Sequence, residues 1–189
     1  MLADQMKRSS VWQESVPLAP GVYRLNVVCK DVVAGTLNNY EAALNVPHFD
    51  DEKLASSSLI LADIIEKVPT RQIGTGQFVV GTTKVRPRLN DTFRRDEKMG
   101  IYVQLYNLGA DEKTNKPNAL IQYEITKAGS NEKVLDFTEP LDQGSPNQIT
   151  VEKLLPLGSM QPGQYQLKMR VLDKNRNQTL TPSANFTIT

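Results

Sequence analysis

The stretch Pro162-Gly163-Gln164-Tyr165-Gln166-Leu167-Lys168-Met169-Arg170-Val171-Leu172-Asp173 has a near twin at Pro20-Gly21-Val22-Tyr23-Arg24-Leu25-Asn26-Val27-Val28-Cys29-Lys30-Asp31. The two lie 142 residues apart (162 − 20) without a gap, and Pro, Gly, Tyr, Leu and Asp recur at matching places. In both, Tyr, Leu, two further apolar residues and Asp fall on every second position. That is the period of a half-buried strand, not of a helix. The phase runs on downstream, where Leu44 and Val46 match Phe186 and Ile188 at the same offset. The pattern predicts a duplicated β-module.

The motif itself predicts an architecture. In immunoglobulin-type sandwiches a tyrosine near the start of one strand stands two residues before a core position, and its hydroxyl bonds a backbone group a few residues upstream. Tyr23 with Leu25, and Tyr165 with Leu167, reproduce that spacing. Gly21 and Gly163 permit a tight approach or positive φ, while Pro20 and Pro162 fix the entry into the turn. These eight residues are read as structural.

Outward from the twins, the rest of the chain reads as short strands between turn signals. Val11 to Pro17, which holds the one tryptophan, Trp12, is a short strand candidate. Tyr40 to Val46 reads as the strand returning from Tyr23. Residues 1–47 therefore predict about three strands, too few to enclose a core, so this module is expected to be the C-terminal part of a truncated sandwich. Residues 48–58, opened by Pro47 and rich in charge, read as a linker.

Residues 59–189 predict a complete sandwich of seven to eight strands. Leu59 to Ile65 is ambiguous between a buried strand and a helix capped by Ser58, and the strand is favoured. Phe78–Val80, Lys84–Leu89, Ile101–Leu105, Leu120–Thr126, Val134–Thr138, Gln148–Leu155 and Ala184–Thr189 supply the others. Lys127-Ala128-Gly129-Ser130-Asn131 forms a hairpin turn, and Pro87 marks an edge. The expected fold is all-β: an immunoglobulin-like Greek-key β-sandwich preceded by an incomplete second module.

Bulk properties narrow the function classes. With 22 basic and 21 acidic residues the net charge is +1, which gives no field to draw nucleic acid or an anionic membrane. No apolar run approaches the roughly 18 residues of a membrane span. Met1 to Ser10 shows no apolar segment after Lys7 and Arg8, hence no visible secretory signal. A single cysteine, Cys29, excludes an intrachain disulfide and a cysteine-rich metal site. It shares a strand face with Tyr23 and Leu25, so a buried, inert thiol is expected.

The first of the twin runs, with Leu18-Ala19 before it, Val46-Pro47 after it and then Ser57-Ser58-Leu59-Ile60-Leu61-Ala62-Asp63, resembles the β-rich C-terminal region of large exported acidobacterial proteins of the GWxTD-domain type. The Gly-Trp-x-Thr-Asp signature itself is absent, since Val11 precedes Trp12 and Gln13-Glu14 follow it. The resemblance implies an exported, periplasmic or cell-envelope setting and further domains upstream in the same polypeptide. It carries no catalytic residue with it.

Chemistry finds few footholds. General-base or acyl-transfer chemistry needs a histidine beside a nucleophile, and the one histidine, His48, lies in the linker. Asp111 to Lys116 offers oxygen ligands without the alternating acidic spacing of a calcium loop. Lys84, Arg86, Arg88, Arg94 and Arg95 form the densest basic stretch, read as an edge strand guarded by charge, or else a site for an acidic glycan or partner. No catalytic, cofactor or metal residue is assigned and no cofactor is expected. The expected role is a non-enzymatic structural or protein-interaction module. The alternative is a carbohydrate-binding accessory module of a cell-envelope enzyme, using exposed Tyr102, Tyr106 and Tyr40. Expected partners are protein or envelope polysaccharide.

Overall fold

The computed structural model describes residues 11–130 and 132–189. The chain divides into two compact units, Met1–Asp50 and Asp51–Thr189. The leader reading of Met1 to Ser10 and the Asn131 end of the predicted hairpin turn lie outside the described residues.

Among its described residues the first unit holds two strands, β1 (Gly21–Lys30) and β2 (Leu37–Val46), paired antiparallel as a hairpin. Val11 to Pro17, expected as a strand, takes up no strand pairing, and Trp12 is 71% exposed. A short apolar-polar segment becomes a strand only when it pairs with a neighbour, and this one pairs with none.

The second unit contains β3 (Ala55–Ser56), β4 (Ile60–Lys67), β5 (Val79–Val80), β6 (Thr83–Pro87), β7 (Thr92–Phe93), β8 (Lys98–Tyr106), β9 (Ala119–Lys127), β10 (Lys133–Leu141), β11 (Gln148–Pro156), β12 (Gly163–Asp173), β13 (Gln178–Leu180) and β14 (Ser183–Ile188). The expected strands are present; the pieces not expected are the two- and three-residue β3, β7 and β13. The segment from Leu59 is a strand, as favoured. Residues 51–58 belong to this unit and not to a linker, because Ala55 and Ser56 pair with Tyr106 and Leu105. The Gln178 side chain also binds the backbone of Glu52 and Leu54.

These strands form two six-stranded sheets, ordered β10-β9-β12-β14-β7 with β13 beside β12, and β11-β8-β4-β6-β5 with β3 beside β8. Neighbours β9 and β12, and β8 and β11, are not consecutive, so the chain crosses repeatedly from one sheet to the other. The result is an all-β Greek-key sandwich. Alternate residues of facing strands fill its core, among them Ile101 and Val103 on β8, Ile121 and Ile125 on β9, and Leu167 and Met169 on β12, all nearly inaccessible. Where β4 crosses β8 the backbones close up: a Cβ on Gly100 would sit 2.8 Å from the Ile65 side chain and 3.1 Å from the Ala62 carbonyl.

The open side of the sandwich is closed by a charge. Lys153 takes an inward position between Val151 and Leu155 on β11, which is the outer strand of its sheet. Its ammonium pairs with Glu139 and lies 4.7 Å from the Phe137 ring and 5.3 Å from the Tyr123 ring, which stack on each other at 4.7 Å. An inward lysine on an outer strand deters sheet-to-sheet addition there.

Candidate functional site

The twin motifs occupy equivalent places down to single bonds. The Tyr23 hydroxyl donates to the Ala19 carbonyl at 2.8 Å, and the Tyr165 hydroxyl donates to the Gln161 carbonyl at 2.7 Å. Gly21 and Gly163 sit at φ of 157° and 152°, and a Cβ on either would meet only ordinary contacts. It is therefore the backbone angle, and not space, that selects glycine here. Gly21 pairs with Val46, Tyr23 with Leu44 and Leu25 with Ala42; Gly163 pairs with Ile188, Tyr165 with Phe186 and Leu167 with Ala184. Each pair maps onto the other by the same offset of 142 (163 − 21, 188 − 46).

The loops at the far ends match too. Asp31 Oδ1 accepts from the Val33 and Ala34 amides at 2.9 and 3.0 Å, and Asp173 Oδ1 accepts from the Asn175 and Arg176 amides at 3.0 and 3.3 Å. Positive φ follows at Gly35 (67°) and Asn177 (51°). The aspartates' recurrence was visible in the sequence, and short-range capping of a turn is the ordinary use of that side chain. The Ala34 amide, followed by the Val33 amide, holds the Asp31 carboxyl below the usual carboxylate range.

Their surroundings differ. Tyr165, Leu167, Met169 and Val171 are at most 2% exposed, under the opposite sheet. Beside them β9 pairs along β12 from Tyr165↔Lys127 to Asp173↔Ala119. In the first unit the same face (Tyr23, Leu25, Val27 and Cys29 on β1, with Ala42 and Leu44 on β2) has no sheet above it, and β1 has no second neighbour among the described residues. Leu25 is 43% exposed and Leu44 40%. Cys29, expected to be buried, is exposed. The alternation assigned its face correctly, but burial requires a covering layer that the strand pattern alone does not supply. The opposite face is mixed: Arg24 and Glu41, 3.4 Å apart, stand among exposed Val22, Val28 and Leu37.

Other sequence candidates resolve into internal pairings. Arg86 meets Asp63 through two bonds of 2.7 and 2.8 Å, Arg88 meets Glu97 at 2.9 Å, and Arg94 meets Asp96 at 3.0 Å. Lys84 lies 3.6 Å from Glu66, and Arg95 donates to the Gly158 carbonyl. Exposed pairs such as these add little stability, yet they neutralise Lys84, Arg86, Arg88 and Arg94. A cleft of about 570 Å³ beside it is lined by Asp63, Glu66, Arg86, Arg88, Glu97 and Lys98, an even mix of signs. Tyr102 is only 2% exposed, so its ring offers no platform to a sugar, and burial raises its hydroxyl above the usual range. Asp111 spends its carboxylate on the Lys113 and Thr114 amides of its own turn.

One polar cluster had no sequence signal. Buried Thr83 on β6 donates to Glu152 on β11 and accepts from Lys67 on β4 at 2.9 Å, while Lys67 also lies 2.7 Å from Glu152. These residues are far apart in the chain, and only sheet register brings them together. The hydroxyl and both charges satisfy one another, which fits a staple across the sheet. Among the described residues no group of three or more His, Cys, Asp or Glu side chains is placed to hold a metal ion.

No family model and no curated protein matches the chain. Among solved structures, it is similar to a β-glucosidase involved in saponin metabolism from intestinal bacteria, at 12% identity and a TM-score of 0.41, covering 73% of this chain and 16% of that one. It is also similar to a family 123 glycoside hydrolase from Clostridium perfringens, at 7% identity and a TM-score of 0.41, covering 72% of this chain and 27% of that one. The chain thus spans less than a third of either protein. At this degree of likeness no activity passes to it.

Proposed function

We propose that this chain is a non-enzymatic structural or protein-interaction module, made of tandem immunoglobulin-like domains within a larger exported bacterial protein. The observation that carries the reading is the open apolar face of the β1–β2 hairpin, whose twin in the second unit is fully covered. Soluble proteins cover such faces or use them for association. Matching register, tyrosine bonds and aspartate loops support the tandem reading, and the order of the two sheets supports the immunoglobulin-like one. The exported setting rests on the resemblance to GWxTD-type proteins.

Cys29 gives a direct test, being the chain's one cysteine and exposed. A photo-crosslinker attached there, followed by exposure of the purified chain to envelope extract and to a glycan array, should yield a protein adduct without glycan retention. Glycan retention with no protein adduct would overturn the reading.

A further inference from the structure

Resting on that reading, we propose that the β1–β2 hairpin is the closing half of a split sandwich. Its partner is a β-sheet body that lacks its own closing hairpin and presents an unpaired strand to the outer edge of β1.

The second unit supplies the template, because it shows the same hairpin with its partner in place. There, three things meet the hairpin. The strand β9 runs antiparallel along β12 over nine register pairs from Tyr165 to Asp173. An opposing sheet covers Tyr165, Leu167, Met169 and Val171. The Gly109 amide, from the β8–β9 connection, donates to the second oxygen of Asp173 at 2.7 Å. Among the described residues the first hairpin retains the receiving half of all three: an unpaired β1 edge, an uncovered apolar face, and an Asp31 whose Oδ1 alone serves its turn.

The faces are close in chemistry. Tyr23, Leu25 and Ala42 repeat Tyr165, Leu167 and Ala184 without change. At four differing places the first hairpin carries the smaller side chain: Val27 for Met169, Cys29 for Val171, Leu44 for Phe186 and Val46 for Ile188; Tyr40, on the same face opposite Val27, is larger than its counterpart Pro182. Cores are close-packed, so smaller side chains on one layer call for larger ones opposite. Opposite those four places the partner sheet therefore carries bulkier residues than β8 and β11 do. A second copy of this chain does not fit the role, since its sandwich already contains its own hairpin and its remaining sheet is the same open one.

The test uses the intact, isotope-labelled chain and a synthetic peptide of the β9 sequence Ala119–Lys127, the strand that fills this place in the second unit. At about 1 mM peptide, shift changes and slowed amide exchange should appear along β1. A spin label at the peptide's C-terminus should broaden signals near Tyr23, as antiparallel pairing demands. Leu25→Asp, which charges the receiving face, should weaken binding about tenfold or more, whereas Val22→Asp on the opposite face should leave it unchanged. Absence of any effect on β1, addition to β10 or β11 instead, or self-association of the chain through this face would each overturn the proposal. The two levels separate cleanly. A protein adduct at Cys29 with no peptide effect upholds the interaction reading and removes this partner; peptide addition without a protein adduct does the reverse.

Discussion

The two hairpins form a controlled comparison inside one polypeptide. They share register, a tyrosine-to-carbonyl bond, a glycine at positive φ and an aspartate-capped loop. They differ in what lies over them. In the second unit the motif is part of a sandwich core; in the first it stands on a two-stranded sheet with its apolar side uncovered. The local motif is thus sufficient to shape the hairpin, while burial comes from the layer packed against it. The stabilising value of each side chain should follow the layer and not the motif.

The largest contrast is expected at the leucines. Leu167→Ala should destabilise the second unit by about 2–5 kcal/mol, since the side chain is inaccessible and its removal leaves a cavity. Leu25→Ala, at a half-open site, should cost about 1 kcal/mol or less. Denaturant midpoints read unit by unit from resolved NMR signals measure both; equal losses would break the comparison.

Next come the aspartates. Asp173→Ala orphans the buried Gly109 amide and two loop amides, at about 1–3 kcal/mol. Asp31→Ala removes only exposed turn bonds, so its effect should stay within the hairpin loop. The same denaturant series, with amide exchange at the loops, separates the two.

A smaller difference is expected at the tyrosines. Tyr165→Phe should cost about 1 kcal/mol through its lost hydrogen bond. Tyr23→Phe loses a similar bond in a wetter setting, where water replaces the partner, so the second unit should show the greater loss.

The smallest effect is a titration that sharpens the loop assignment. The Asp31 carboxyl is held below its ordinary 3.8 by amide bonds, so it favours the folded loop when ionised. That contribution is complete above the ordinary value and is lost as pH falls through the depressed one. The Val33 and Ala34 amide shifts should therefore titrate with a midpoint below 3.8, and a midpoint above it would remove the capping bond.

How much of this was legible in the sequence follows from which forces are local. Period-two alternation gave the twin strands, and a short apolar run gave the one after Leu59, because both patterns are set by neighbours in the chain. The tyrosine spacing predicted a hydroxyl bond to a backbone group upstream, and the bonds to Ala19 and Gln161 are of that kind. Covering layers are not local. Cys29 therefore read as buried, and Val11 to Pro17 read as a strand without a partner to make it one. Ala55 and Ser56 looked like linker because two residues hold too little pattern to show that they pair with β8. The Lys67–Thr83–Glu152 cluster and the inward Lys153 depend on register between distant strands, which single-chain periodicity does not encode.

Amide hydrogen exchange on the intact chain tests the central claim most directly, because it reads both hairpins in one sample. The account predicts that amides along β12, flanked by β9 and β14, exchange only through unfolding of the whole second unit. Those along β1 should exchange far faster, fastest on the edge away from β2. Equal, strong protection across β1 and β12 would show that the first hairpin is already covered, and would contradict the account.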